Sequence, residues 1–506
     1  MWVGKFALSP EGLPAGGVAW VDLGTTAASS PAVVNGAAYH PTYQSLEGVS
    51  ALYVTTEAVA ASDAYIGGFR YRSDGALRVY DATSAVPAGA NTNQGIALTS
   101  DGQLCYTTGN TTAFALNGVA VDTERRVYAA PLAFELQFAD LGSGVVDTTE
   151  EITGAAATFT RATTAWTRLS TGLWAAVASG DPRSYYAEDG TYLGYLAEGA
   201  RTNSALHGRK IAAGVTATEW TESNVTAADN ATGIDGVANA ASTLTAGANN
   251  GTILQSRTIA SAAKTLSAFV RRKTGTGAVY LTLDNDTTRT EITSLINSST
   301  YTQVSATQTL ANPVFGFKLA VDTDAIEVDM VMLENSASFA STPIPTTTIA
   351  VARNADVLTY PTTGWLSATA GTMFQQLVPF NVTTTQVPLS LDDGTNANAI
   401  YHRIISGPSS RLVVTDATVG QVNLAVGVPV ANTSYAQASA YLANDFASCV
   451  DGGTVATDTG GSIPAGLDIL QLGAQAGAGS PFFGPIRRVA YYAARLANAT
   501  LQGLTS

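Results

Sequence analysis

The chain has 506 residues, too many for one hydrophobic core, and it is 46% hydrophobic but only 13% charged. Roughly three or four packed domains with few long charged helices are therefore expected. The formal charge is −14, and the densest basic run is Arg271-Arg272-Lys273, so no nucleic-acid partner is expected, because phosphate binding needs clustered cations. No apolar run approaches the ~18–20 residues that span a bilayer. Thr, Val and Gly suit pleated strands and tight turns, so the fold class is read as all-β and multidomain. Cys105 and Cys449 each sit in a strand-like run and read as small buried hydrophobes, with no disulfide framework and no Cys/His metal spacing.

In chain order, residues 1–57 alternate Pro/Gly turns with short apolar runs and read as an arm or a small β region. Their start, Met1-Trp2-Val3-Gly4-Lys5-Phe6, has neither a basic n-region nor an apolar h-region, so no secretory signal is expected. Residues 58–131 carry a weak repeat. Gly68 to Tyr80 aligns with Gly95 to Thr107, each copy holding Ser-Asp-Gly between alternating runs, and a worn copy runs from Gly118 to Tyr128. Ser-Asp-Gly between alternating runs is a hairpin signal, and three stacked hairpins would share one buried face. The region reads as a docking module or as plain scaffold.

Residues 132–206 read as a linker. In it Glu198 and Arg201 lie three apart, a spacing that lets them pair in a turn. Residues 207–345 read as a sandwich with strands at Lys264–Arg271, Ala278–Leu283, Tyr301–Ala306, Phe315–Val321 and Ile326–Leu333. A second linker covers 346–360. Residues 361–506 form another sandwich, closed by a short helix from Leu496 to Leu504.

Three stretches of the first linker resemble the linker of many bacteriophage tail-fibre and tail-associated proteins. They are Thr158-Phe159-Thr160-Arg161-Ala162, Asp181-Pro182-Arg183-Ser184-Tyr185-Tyr186, and Glu198-Gly199-Ala200-Arg201-Thr202-Asn203. The chain departs from that pattern at Ser204-Ala205-Leu206, where consecutive leucines are usual. The resemblance continues in Val331 to Asn335, Phe339 to Thr346 and Arg353-Asn354-Ala355-Asp356, which resemble the exit of a carbohydrate-binding-like jelly roll. Leu391 to Asn396, Ala443 to Phe446 and Gly484 to Tyr492 are similar to a concanavalin/laminin-G-like sandwich.

The resemblance implies a virion structural protein, a tail-fibre or spike-like appendage exposed on the particle. Its N-terminal region would dock on other virion proteins, and its sandwiches would contact host cell-surface glycan. It also implies a homo-oligomer, often a trimer, although no heptad seam specifies one. A capsid or tail decoration protein with a purely structural role is the alternative, and a polysaccharide depolymerase is a third.

The search for chemistry is mostly negative. His40, His207 and His402 have no second ligand at metal spacing, so no catalytic or metal residue and no cofactor is assigned. Glu327 and Asp329 share a strand face but lack a third acid, since Val331 stands two residues on. Asp392-Asp393-Gly394 and Asp322-Thr323-Asp324 read as turns, with calcium as the other reading. Glycan contact would use aromatic faces beside polar groups. Trp220, Trp365, Tyr401, His402, Phe482 and Phe483 are the candidates, each with core packing as its plainer alternative. His402 is expected to face outward in the run Ile400 to Ile404, and one of Phe482 and Phe483 to be exposed.

Overall fold

The computed structural model describes residues 132–138, 146, 148, 150, 152, 155–212 and 219–506, and, before residue 132, the backbone of short strands between residues 18 and 121. The chain separates into two compact units, residues 1–135 with 151–154, and residues 136–150 with 155–506.

In the first unit, Val18–Trp20 pairs with Tyr53–Thr55 and Ala32–Val34 with Ala37–Tyr39. Whether residues 1–57 as a whole form an arm or a domain lies outside the described residues. Gly68–Tyr71 pairs antiparallel with Leu77–Tyr80, and Ile96–Leu98 with Leu104–Tyr106, the strand pairing expected of hairpins in the first two repeat copies. In the worn third copy Val119–Val121 pairs with the strand before it, Phe114–Leu116, and residues 122–128 of the copy lie outside the described residues.

The second unit holds two β-sandwiches, and the chain is all-β apart from a short helix at Asn498–Thr505 and a single 3-10 turn among the described residues. In the first sandwich, the long strand Ala325–Asn335 pairs with Ala262–Thr274 on one side, and with Ala241–Ala246 and Arg201–Asn203 on the other. The facing sheet runs Trp220–Ser223, Gly251–Ser256, Val314–Leu319, Val279–Thr282, Arg289–Glu291. Alternate residues such as Leu266, Ala268 and Val270 point between the sheets against Phe315, Phe317 and Trp220.

One sheet of the second sandwich runs Arg183–Tyr186, Tyr192–Ala197, Gly484–Tyr492, Ala370–Leu377, Tyr435–Leu442, Asp445–Val450, Ala456–Asp458. The other runs Thr158–Thr160, Val357–Pro361, Ile469–Leu472, Gln386–Asp392, Ala399–Ile405, Ser409–Asp416, Val419–Gly427. The C-terminal helix rests on the first of these sheets, with Leu501 and Thr505 buried.

Both segments read as linkers are thus woven into the sandwiches. Thr158–Thr160 pairs with Val357–Pro361, and Arg201–Asn203 pairs with Val351–Arg353. Their charged residues meet in one buried cluster. Asp356 accepts from Arg161 (2.8 Å), from Arg183 and from the Glu198 backbone N–H (3.1 Å). Glu198 binds Arg183 (2.8 Å), Arg353 (2.7 Å) and the Thr342 hydroxyl. Burial alone would raise the Glu198 carboxyl, yet Arg353 and Arg183 hold it below its ordinary value. The expected Glu198–Arg201 pair does not form. These residues lie on a strand-like path rather than in a turn, so Arg201 meets Glu334 (3.5 Å) and packs against the rings of both Phe339 and Phe483.

Candidate functional site

The glycan-contact residues expected from sequence are buried. Trp220 lies in the first core, edge-on to Phe315 at 5.7 Å, and its indole N–H donates to the Leu206 carbonyl (3.0 Å). Trp365 donates to the Pro361 carbonyl (2.8 Å) and packs on Tyr491. Phe482 and Phe483 are both buried, correcting the expectation that one is exposed. Each ring has its own layer. Phe482 packs inside the second sandwich, and Phe483 meets Phe339 at 4.9 Å in the junction between sandwiches.

The run Ala399–Ile405 has the opposite phase to the one expected. Ile400, His402 and Ile404 point inward and are fully buried, and Tyr401 and Arg403 lie on the outer face. His402 is therefore not a rim residue. Its Nε2 bonds the Ser439 hydroxyl (2.9 Å), and burial pushes its pKa down to about 3, so the ring is neutral. Ser439, Ser448, Gln437 and Ser410 continue this interior polar chain.

The outer face of the same sheet carries the arrangement that sequence reasoning missed. Antiparallel register sets Tyr401 opposite Val413 and Arg403 opposite Arg411, and it sets Val413 opposite Asn423 and Arg411 opposite Ala425. Tyr401 is itself buried with Val387, Ala399 and Val413, so its ring acts as a floor, with the Arg403 guanidinium 6.0 Å from its centroid. Arg403 (3.3 Å) and Arg411 (3.0 Å) both donate to the Asn423 side-chain oxygen. The two arginines are half-buried, whereas Asn423 and Ala425 are exposed on Val419–Gly427, the last strand of the sheet. Asn398 and Ala397 brace the tip of that hairpin by accepting the Ala417 and Thr418 N–H groups (2.8 and 2.9 Å). A signal was present in the sequence, in Arg403 and Arg411 at alternating positions of adjacent strands. Only the register shows that they face each other.

Other polar clusters are spent internally. A cleft of about 490 Å³ in the first sandwich is lined by His207, Arg209, Lys210 and Thr346 among others. There Arg209 is committed to Asp235 (2.7 Å) and Asp329 (3.2 Å), and His207 to Glu219 (3.2 Å). Glu327 pairs with Arg271 and Lys273, which leaves the Glu327/Asp329 face neutralised. Asp392 and Asp393 cap their own turn by accepting the Gly394 and Thr395 N–H groups (3.0 and 2.9 Å). Among the described residues no group of three or more His, Cys, Asp or Glu is placed to hold a metal, and no helix is long and apolar enough to cross a membrane. Cys449 is buried and unbridged.

No family model matches the chain, and no curated protein does. Among solved structures it is similar to the CBM40 domain of the Ruminococcus gnavus IT-sialidase bound to α2,3-sialyllactose. The identity is 18%, over 28% of this chain and 84% of that one, with a TM-score of 0.25. A heptameric SAP-like pentraxin from Limulus polyphemus matches at 13% identity over 28% and 73%, TM-score 0.22. Mouse laminin α1 domains LG4-5 match at 9% over 48% and 86%, TM-score 0.21. Likenesses this slight transfer no ligand.

Proposed function

We propose that the chain is a non-catalytic glycan-binding appendage of a bacteriophage particle. In this reading it touches host-surface saccharide through the outer face of its C-terminal sandwich and is held to other virion proteins by its N-terminal region. The observation that carries the binding reading is the donor set on that face, Arg403, Arg411 and the exposed Asn423, over a Tyr401 floor. Saccharide recognition needs a few fixed polar groups on a solvent-open surface that a chain of sugar rings can lie along, and the last strands of this sheet offer that. The virion reading is supported by the sequence resemblance of Thr158–Ala162, Asp181–Tyr186 and Glu198–Asn203 to tail-fibre linkers.

The test is an array of bacterial surface polysaccharides probed with the whole chain and with Asn423→Ala, a surface change expected to leave folding intact. Saccharide binding that is lost in the variant supports the proposal. Well-folded protein that binds no saccharide at saturating concentration overturns it, and release of reducing sugar from any array member overturns its non-catalytic part.

A further inference from the structure

We infer that the group bound at this face is anionic, a carboxylate or sulfate of an acidic glycan held between Arg403 and Arg411; this rests on the glycan-binding reading above. Directly opposed like charges on neighbouring strands destabilise a sheet. The chain could readily have relieved the repulsion, since it carries 39 Asp and Glu against 25 Lys and Arg. Elsewhere in the sandwiches it does so. Arg271 meets Glu327, Arg289 meets Asp286 (2.6 Å), and Arg495 meets Asp445 (2.8 Å). At Arg403 and Arg411 the only side-chain acceptor among the described residues is the neutral Asn423 amide oxygen, shared by both.

Each guanidinium has five N–H donors in a planar fork, and each directs one at Asn423, so most of the donor capacity is unspent. Both forks converge on the Asn423 oxygen, and the terminal N–H groups they leave over beside it suit a group with several charged oxygens. A carboxylate or sulfate can accept from both arginines and remove their mutual repulsion, which a sugar hydroxyl cannot. The surroundings keep the position open. On its other side the cross-strand neighbour of Arg411 is the small, exposed Ala425, and among the described residues no strand pairs beyond Val419–Gly427, so a ligand can cross the edge without a pocket. Tyr401 holds the Arg403 guanidinium from beneath, which limits the rotamer freedom that binding would otherwise have to remove.

The experiment measures binding of the whole chain to three soluble oligosaccharide sets of matched length. These are polygalacturonate fragments (carboxylated), dextran sulfate fragments (sulfated) and dextran fragments (neutral). Arg403→Gln, Arg411→Gln and Arg403→Lys are measured beside the native chain at low and physiological salt. At least one acidic set should bind tenfold or more tighter than dextran. Each Gln variant should lose most of that preference, and Arg403→Lys should fall between, because it keeps the charge and loses the fork. Which acidic set wins tells carboxylate from sulfate. Dextran bound as tightly as the acidic sets would overturn the anionic assignment and leave the glycan reading standing. Acidic binding that survives both Gln variants would place the anion elsewhere and also overturn it. Failure of all three sets, together with an array that shows no saccharide binding, would remove both readings; failure here with a positive array removes only this one.

Discussion

Replacing Asp356 by alanine should damage the molecule more than any surface change, because of where the carboxylate sits. Arg161, Arg183, Arg353 and Glu198 are all buried around it, with no more than 2% of any side chain exposed, so the variant leaves three guanidiniums facing one carboxylate. Removing one partner of a buried ion pair costs about 3–5 kcal/mol. The Glu198 N–H also loses its acceptor, which adds about 1 kcal/mol, for a total near 5 kcal/mol. In a unit of this size that corresponds to a fall of roughly 6 °C in Tm. Asp356 lies between Val351–Arg353, a strand of the first sandwich, and Val357–Pro361, a strand of the second. Its loss should therefore also separate the unfolding of the two sandwiches. Urea titration followed by tryptophan fluorescence reads both effects, with Trp220 buried in the first sandwich and Trp365 in the second. Asp356→Asn, which keeps the shape and loses the charge, should fall between. A single transition for Asp356→Ala, within about 1 kcal/mol of the native chain, would refute the cluster as the joint.

Three more outcomes follow from burial and backbone geometry. His402 is neutral in the fold, with a pKa near 3, but takes a proton near its ordinary value of 6.5 when unfolded. The unfolded state thus binds more protons between these values, and stability should fall as pH drops through this window, by up to about 1.4 kcal/mol per unit; His402→Gln should flatten that slope in acid-unfolding curves. Phe483→Ala should cost about 3–5 kcal/mol by emptying the space between Phe339 and Arg201; saccharide affinity of its folded fraction should be unchanged, since the ring is buried away from Arg403 and Arg411. Gly194 has φ +104, and a Cβ there would stand 2.3 Å from the Ile486 carbonyl oxygen, so Gly194→Ala should lower Tm by several degrees or abolish soluble expression.

Strand existence was legible where alternation was strong. Lys264–Arg271 and Ile326–Leu333 lie inside the observed Ala262–Thr274 and Ala325–Asn335. Val225–Ala231 and Ala241–Ala246 are not legible in the sequence, because Ala, Thr and Asp give little hydrophobic contrast to alternate. The phase of Ala399–Ile405 is ambiguous in the sequence because Tyr401 and His402 are both amphipathic, and either can face a core when the core itself is polar. Here Ser439 and Ser448 receive His402, a partnership between residues 37 or more positions apart that no local pattern encodes. Aromatic type alone is a poor guide to exposure for a related reason. In a chain with few charged side chains aromatic rings are needed as packing volume, so Trp220, Trp365, Phe482 and Phe483 are all buried, and Tyr401 is buried on the outer face of its sheet.

The motif residues and the Arg403/Arg411 face are joined through paired strands. A joint built from Arg161, Arg183, Glu198, Arg353 and Asp356 adds little net stability over a hydrophobic joint of equal size, because desolvation offsets most of the attraction. What it supplies is a single register: each guanidinium fork accepts one geometry, and a slip by one residue on any contributing strand would strand a buried charge. Those strands run directly into the second sandwich, where Val357–Pro361 pairs with Ile469–Leu472, which pairs with Gln386–Asp392, which in turn carries Ala399–Ile405. Arg403 and Arg411 are thus connected, through paired strands, to the same residues that read as a linker motif in sequence. Such a scaffold can hold two like charges face to face without letting them swing apart into water, which an anion-binding pair on a flexible loop would do.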